Sequence, residues 1–382
     1  MLRAKLLAIV SVVLWLPALI SAQSKSFVPV EGPNLKAKMD NAIATGRTNV
    51  SNGRFWVAYQ FEARPGVAVD FEIVDGAGGV YISNDGSSIV SDSRHETREL
   101  GLFQLFDVQR ELFIRAEVYN LRRNHEYSSY PVYWAGKVTN DESLTYLKSI
   151  VDSSSSDVNS LAERAVFAIA LHDDARVDTL LTEMVKKPLE EPLRSRAIYW
   201  LGNTPETATK NALFSEVARD TREESDARRA AMSALSLSRS AGTLPLLQNL
   251  FENLPARDLK QRALNGIGRN DNAEAAASFL IKVVETDQDV EIRKTAIISL
   301  ARVPGQKSLG ALVNTIDGDG RLEMQKQAVI AVGRRPKDEA VPILIRTARN
   351  HPRMDVRKQA IRVLGQTGDE RAVAFFGELL SK

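Results

Sequence analysis

The chain has 382 residues, 44% hydrophobic and 26% charged, a mixture that excludes both a disordered chain and a multispan membrane protein. It has no cysteine, so disulfides, thiolate metal sites and a cysteine nucleophile are excluded. Lys and Arg number 50 against 48 Asp and Glu; without Arg3 and Lys5 of the N-terminal stretch the counts are equal, which argues against a nucleic-acid partner.

Residues 1–22 have the form of an export signal. Arg3 and Lys5 precede an apolar run over 6–20, interrupted by Pro17 and closed by the small residues Ser21 and Ala22. The run is shorter than the roughly 20 residues a span requires, so cleavage near Ala22 is expected, leaving no membrane span. The mature chain is then expected outside the cytoplasm, periplasmic or extracellular. Residues 23–53 are expected to form a polar tether, with Leu35, Met39, Ala42 and Ile43 spaced for a short helix after Pro33.

Composition shifts next. Residues 23–150 hold 16 Phe, Tyr and Trp side chains against eight in the longer remainder, which marks a boundary. Over 54–138, Phe55, Val57, Tyr59 and Phe61 alternate, Arg64-Pro65-Gly66 turns, and Val67, Val69, Phe71 and Ile73 alternate again, a hairpin pattern. Further short strands fit 80–83, 87–90, 112–119 and 132–135, with the glycine-rich stretch from Asp75 to Gly79 as a turn. The expectation is a small antiparallel β-sandwich. Residues 139–158 fit a helix over 142–151, capped by Asn140 or Asp141, and a serine-rich loop.

From 159 to 382 one pattern recurs seven times. Ala165, Ala197, Ala231, Ala263, Ala296, Ala328 and Ala360 anchor it at intervals of 32, 34, 32, 33, 32 and 32 residues. Apolar residues recur four before, one after and four after each anchor, one stripe of a 3.6-period helix. Glycine stands five past the anchor at Gly202, Gly268, Gly333 and Gly365, where a left-handed helix stop is expected. A second helix follows, with Leu181, Leu213, Leu247, Phe279, Leu312, Leu344 and Phe376 sixteen past the anchors. No helix pair buries both stripes alone, and stacking buries them, so a right-handed α-solenoid of seven two-helix units is predicted.

Asp355, Arg357, Ala360, Ile361, Leu364 and Gly365 spell Asp-x-Arg-x-x-Ala-Ile-x-x-Leu-Gly. This pattern, with partial copies around Ala296, Ala263 and Ala231, resembles the short HEAT-like repeats of the type named after phycobilisome lyases. The resemblance covers about 159–382, implies an α-solenoid, and implies an arginine ladder tying neighbouring repeats. The signatures of tetratricopeptide and ankyrin arrays do not recur.

Two sets of residues are candidate contact sites. Arg269, Arg302 and Arg334 stand six past their anchors in three consecutive units, with Arg335 beside the last. Guanidinium groups so placed form a row along one edge of the stack, suited to a carboxylate-rich partner or an anionic glycan. Trp200 puts a large ring where other units carry small residues, next to Tyr199, and is the second candidate. The aromatics Trp56, Tyr59, Tyr81, Tyr127, Tyr130, Tyr133 and Trp134 suit a sugar-binding face if exposed. His95-Glu96 and His125-Glu126 look like the His-Glu pairs that hold iron in HEAT-repeat hydroxylases, but they fall in the β region, where strand neighbours point to opposite faces. No catalytic, cofactor or metal set is expected. The chain is therefore expected to be an exported, non-enzymatic scaffold that binds a protein through its solenoid surface. A carbohydrate or anionic-ligand module is the alternative, and a metal-dependent hydroxylase or lyase a distant one.

Overall fold

A computed structural model describes residues 27–51, 53–67, 69, 98–153, 159–187 and 189–381. The export signal, the strands expected at 80–83 and 87–90, the Asp75 to Gly79 turn, Tyr81 and His95-Glu96 lie outside the described residues.

Among the described residues, the N-terminal part holds one five-stranded sheet. Its strands are β1 (Val28–Pro29), β2 (Arg54–Glu62), β3 (Glu99–Asp107), β4 (Leu112–Asn120) and β5 (Val132–Lys137), in the order β1-β5-β2-β3-β4. β2 pairs antiparallel with β3, and β3 with β4, but β5 runs parallel to both β1 and β2. The sheet is thus mixed and not purely antiparallel as expected; alternation reports which face a side chain takes and is blind to the partner's direction. The antiparallel neighbour of β2 is β3, which the alternation pattern does not reveal because Leu100, Leu102, Phe103, Leu105 and Phe106 form a nearly continuous apolar run. That run is buried on both faces.

The helix expected after Pro33 is present and runs well past its four apolar positions. α1 (Leu35–Asn49) is a 15-residue helix capped by Asn34, and it packs Leu35, Met39 and Ala42 into the core beneath the sheet. Gly46 lets the helix lie directly on Phe55: a Cβ there would sit 2.5 Å from the Phe55 ring carbon Cε2. α2 (Asn140–Asp152) is capped by Thr139, not by Asn140 or Asp141, because Thr139 and Glu142 close a reciprocal capping box.

Seven helix pairs follow: α3 (Asn159–Leu171) with α4 (Arg176–Lys186), α5 (Glu191–Gly202) with α6 (Ala208–Arg219), α7 (Ser225–Leu237) with α8 (Leu244–Asn253), and α9 (Arg257–Ile267) with α10 (Ala273–Thr286). Then come α11 (Val290–Leu300) with α12 (Gln306–Gly318), α13 (Leu322–Val332) with α14 (Lys337–Asn350), and α15 (Met354–Gly365) with α16 (Glu370–Leu380). The seven anchor alanines are all buried, at 0 or 1% exposure, in a single internal seam. Each first helix packs on the next along the whole array, while the second helices touch one another less.

Small residues make the close row possible. Gly268 and Gly333 have φ of −68° and −63°, so the glycines five past the anchors are not left-handed stops. They are contact points: a Cβ on Gly202 would lie 2.6 Å from that of Ala234, one on Gly268 2.7 Å from the Ser299 carbonyl oxygen, and one on Gly333 would strike Val363. The ladder implied by the resemblance is present. Arg194, Arg228 and Arg293, each three before an anchor, donate Nε to the C-terminal carbonyls of the preceding second helix at Val185, Ala218 and Val284. Those carbonyls have no intrahelical partner, and the guanidinium satisfies them and complements the helix dipole.

The sheet joins the first unit without a break in the core. β2 brings Tyr59, α2 Ser143 and the end of α3 His172, all at most 1% exposed. His172 Nδ1 lies 2.7 Å from the Ala168 carbonyl and Nε2 2.8 Å from Ser143 Oγ, which is 2.9 Å from the Tyr59 hydroxyl. A carbonyl only accepts, so Nδ1 carries the proton, Ser143 donates to Nε2 and Tyr59 donates to Ser143. Phe61 stacks on the imidazole at 4.2 Å, and burial holds its pKa down at about 4.

Candidate functional site

The turns between first and second helices form one edge of the array. Arg269, Arg302 and Arg334 stand there, each two residues beyond the last residue of α9, α11 or α13, and all three are exposed. Arg302 is the middle member. Its pKa is lowered by partial burial first and then by the positive charges of Arg269 and Arg334, which places the three guanidinium groups within electrostatic reach of each other. Arg302 is held by Asn265 Oδ1 at 2.9 Å, and among the described residues no carboxylate pairs with any of the three.

Arg269 and Arg302 line a groove of about 470 Å³ together with Leu237, Arg239, Asn270 and Asp271. Its floor is stitched from one unit to the next: the Asp271 N–H donates to the Arg239 carbonyl at 2.7 Å, and buried Asn270 donates to the Ser240 carbonyl at 2.7 Å. Arg239 pairs with Asp271 at 3.2 Å, so its charge is partly balanced. A second groove of about 280 Å³, reaching Glu206 and Lys210, shares Leu237 and Arg239 with the first, so the two follow the edge across four units. Leu237, 48% exposed, is its apolar point.

Arg335 does not belong to the row. It is 7% exposed, turned inward, and its guanidinium donates to the Val303 carbonyl while Nε meets Glu339 at 2.8 Å. Adjacent positions at a helix end point apart, so one arginine of the pair faces solvent and the other closes the preceding turn. Trp200 is likewise removed from any contact surface. It is 1% exposed and packs on Phe167 at 4.9 Å, filling the first inter-unit gap; Tyr199 is half-buried against it at 4.9 Å.

The aromatics of the β region divide by face. Tyr59 and Tyr133 lie in the main core, and Trp56 is buried in the cluster on the opposite face, all at most 2% exposed. Half-buried Tyr127, Tyr130 and Trp134 pack with Phe27 and Phe103 on the opposite face, Phe103 stacking on Tyr127 at 5.1 Å. These rings are occupied by one another and do not present a row of flat faces for sugar. His125 bonds the Asn120 carbonyl at 2.9 Å and stacks on Tyr119, and among the described residues no three His, Asp or Glu side chains converge as a metal would require. Arg239 leaves no signal in the sequence because arginine does not recur at its position in other units, and Leu237 stands at the position of the arginine row, where only Leu171 is also leucine.

A family model described as HEAT repeats matches residues 311–382. No curated protein matches the chain. Among solved structures, human deoxyhypusine hydroxylase is 15% identical over 62% of this chain and 90% of its own, with a TM-score of 0.31. The CpcE–CpcF complex of phycocyanin lyase from Nostoc is 14% identical over 68% and 98%, at 0.33. A Pds5–Scc1 complex is 12% identical over 59% and 49%, at 0.25. At scores this low the likenesses carry nothing further for this chain. With the matched repeats, the seven in-phase units and their arginine ladder together, the C-terminal part of the chain is a HEAT-like repeat array.

Proposed function

We propose that this chain is an exported, non-enzymatic scaffold whose HEAT-like array holds a protein partner by an acidic, extended segment laid along the turn edge. The observation that supports the reading best is the row itself: Arg269 and Arg302 stand exposed at a groove, Arg269 and exposed Arg334 both repel Arg302, and among the described residues no carboxylate pairs with any of the three. Holding like charges together costs free energy in the unbound protein, and a partner's carboxylates relieve it. Bidentate guanidinium–carboxylate pairs suit such a segment, and Leu237 gives it one apolar anchor. Residues 1–22, with Arg3 and Lys5 before an apolar run, support export.

Replacing Arg269, Arg302 and Arg334 together with Ser is expected to abolish binding to a glutamate-rich peptide and to remove its salt dependence, measured by fluorescence anisotropy. Exposed side chains contribute little to folding, so the unfolding free energy should move by no more than about 0.5 kcal/mol. Unchanged peptide affinity overturns the reading. N-terminal sequencing of protein recovered outside the cytoplasm should start at Gln23; recovery only from the cytoplasm removes the exported part of it.

A further inference from the structure

Four consecutive units each set one exposed side chain at the position six past the anchor: Leu237, Arg269, Arg302 and Arg334. The row is thus one apolar residue followed by three cations. Leu237, Arg269 and Arg302 line the same groove of about 470 Å³, so its apolar and cationic members face one ligand. Arg302, flanked by both other cations and held by Asn265 Oδ1 at 2.9 Å, is the central contact. Packed helices lie about 8–10 Å apart, and this is the step of the row.

That step selects among the regular forms an extended segment can take. On one face of a β-strand, side chains recur at about 6.7 Å and then about 13 Å, and neither matches. A polyproline II helix has three residues per turn and rises about 3.1 Å per residue, so every third side chain returns to one face at about 9 Å. Hydrogen bonding at the turns points the same way. The N–H groups of Arg269, Arg302 and Arg334 donate to the Gly266, Ser299 and Ala331 carbonyls at 3.0, 3.1 and 3.0 Å, and the Asp271 N–H donates to the Arg239 carbonyl at 2.7 Å. These positions therefore offer no row of backbone donors to which a strand could add. A polyproline II segment needs none, because its backbone stays hydrated. Among the described residues no aromatic ring lines the groove, so side-chain charge, and not stacking on proline, carries the contact.

We infer that the ligand of this row is a polyproline II segment with a carboxylate at every third residue and an apolar residue three places beyond the last of them. The carboxylates meet Arg269, Arg302 and Arg334 in turn, and the apolar residue meets Leu237. This rests on the reading of the row proposed above and adds to it a backbone form and a spacing. Proline at the intervening places strengthens binding, because it holds the segment in the bound form beforehand. Specificity comes from spacing and not from net charge: three adjacent carboxylates cannot reach all three guanidinium groups at once.

Fluorescence anisotropy of the purified protein with four labelled peptides tests this. Leu-Pro-Pro-Glu-Pro-Pro-Glu-Pro-Pro-Glu and its reversed sequence carry the spacing in the two chain directions. Two peptides of the same composition have the glutamates adjacent or at alternate residues. One of the two directions should bind at least about tenfold tighter than both respaced peptides. Arg302→Glu should remove that preference; lysine at the central glutamate of the peptide should restore binding to this variant, and lysine at either outer glutamate should not. Leu237→Arg should transfer the preference from leucine to glutamate at the apolar end of the peptide. Equal affinity for all four peptides, or tightest binding of the alternate spacing, overturns this inference and leaves the row a site for acidic chains. Failure of the central lysine to restore binding overturns the assignment of carboxylates to arginines. Binding of none of the four overturns the reading of the row, and this inference with it.

Discussion

The molecule contains two kinds of junction. Between units, the same chemistry recurs: buried alanine and leucine columns, a glycine or alanine at the point of closest approach, and a side-chain donor on the preceding helix's last carbonyls. Between the sheet and the first unit, a contact made once relies on polar groups, with Tyr59, Ser143 and His172 in a closed chain of hydrogen bonds and Arg64 bonding the Leu171 and Asn203 carbonyls. A repeated junction spreads stability over nearest neighbours. A single polar junction concentrates it in a few groups that must stay in one protonation state.

The strongest way to break the repeated kind is to fill a glycine contact. Gly268→Val would drive its side chain into the backbone of Ser299, whose Cα would lie only 3.0 Å from the added Cβ, and is expected to cost about 3 kcal/mol or more in urea unfolding. Gly365→Val, chemically the same change against open space, should cost no more than about 1 kcal/mol. Equal losses at the two sites would refute the seam.

Acid should break the single junction and spare the others. His172 is held neutral by burial, its pKa near 4 against 6.5 in an unfolded chain. Between those values the unfolded state binds more protons, so stability falls as pH drops from about 6.5 to about 4, by roughly 3 kcal/mol in total, and levels off below. His172→Phe, although it costs stability at pH 7, should remove that part of the slope. A slope unchanged by the substitution would place the acid sensitivity elsewhere.

The same division separates what the sequence discloses from what it conceals. The anchor alanines, both helical stripes and the arginine ladder are legible because each appears several times in phase, so chance agreement is suppressed. β3 is concealed because its two buried faces erase alternation, and the parallel pairing of β5 because strand direction leaves no mark on a single strand. α1 reads only as a short helix in a polar stretch because its hydrophobic face is three or four residues wide and gains its partner from a strand elsewhere in the chain. Of the candidate site, the spacing of Arg269, Arg302 and Arg334 is readable, whereas the inward turn of Arg335 depends on the carbonyls of Val303 and Gly305, thirty or more residues away.

The mildest test asks how much of each repeated junction is charge and how much is hydrogen bonding. Arg293 is 7% exposed; Nε donates to the Val284 carbonyl at 2.6 Å and a terminal nitrogen to Asp319 at 2.7 Å. One unit later Gln325 takes the first task, its amide donating to the Ile316 carbonyl at 2.9 Å, which His351 Nε2 also meets at 3.0 Å. Arg293→Gln should therefore keep the carbonyl satisfied and lose only the carboxylate pair, at a cost of about 1 kcal/mol, whereas Arg293→Met, which orphans the carbonyl as well, should cost about 2 kcal/mol more. The neutral donor already present at Gln325 is the reason for expecting so small a first step: the array itself tolerates an amide at this place, so the charge adds to a bond whose main duty is to close a helix end.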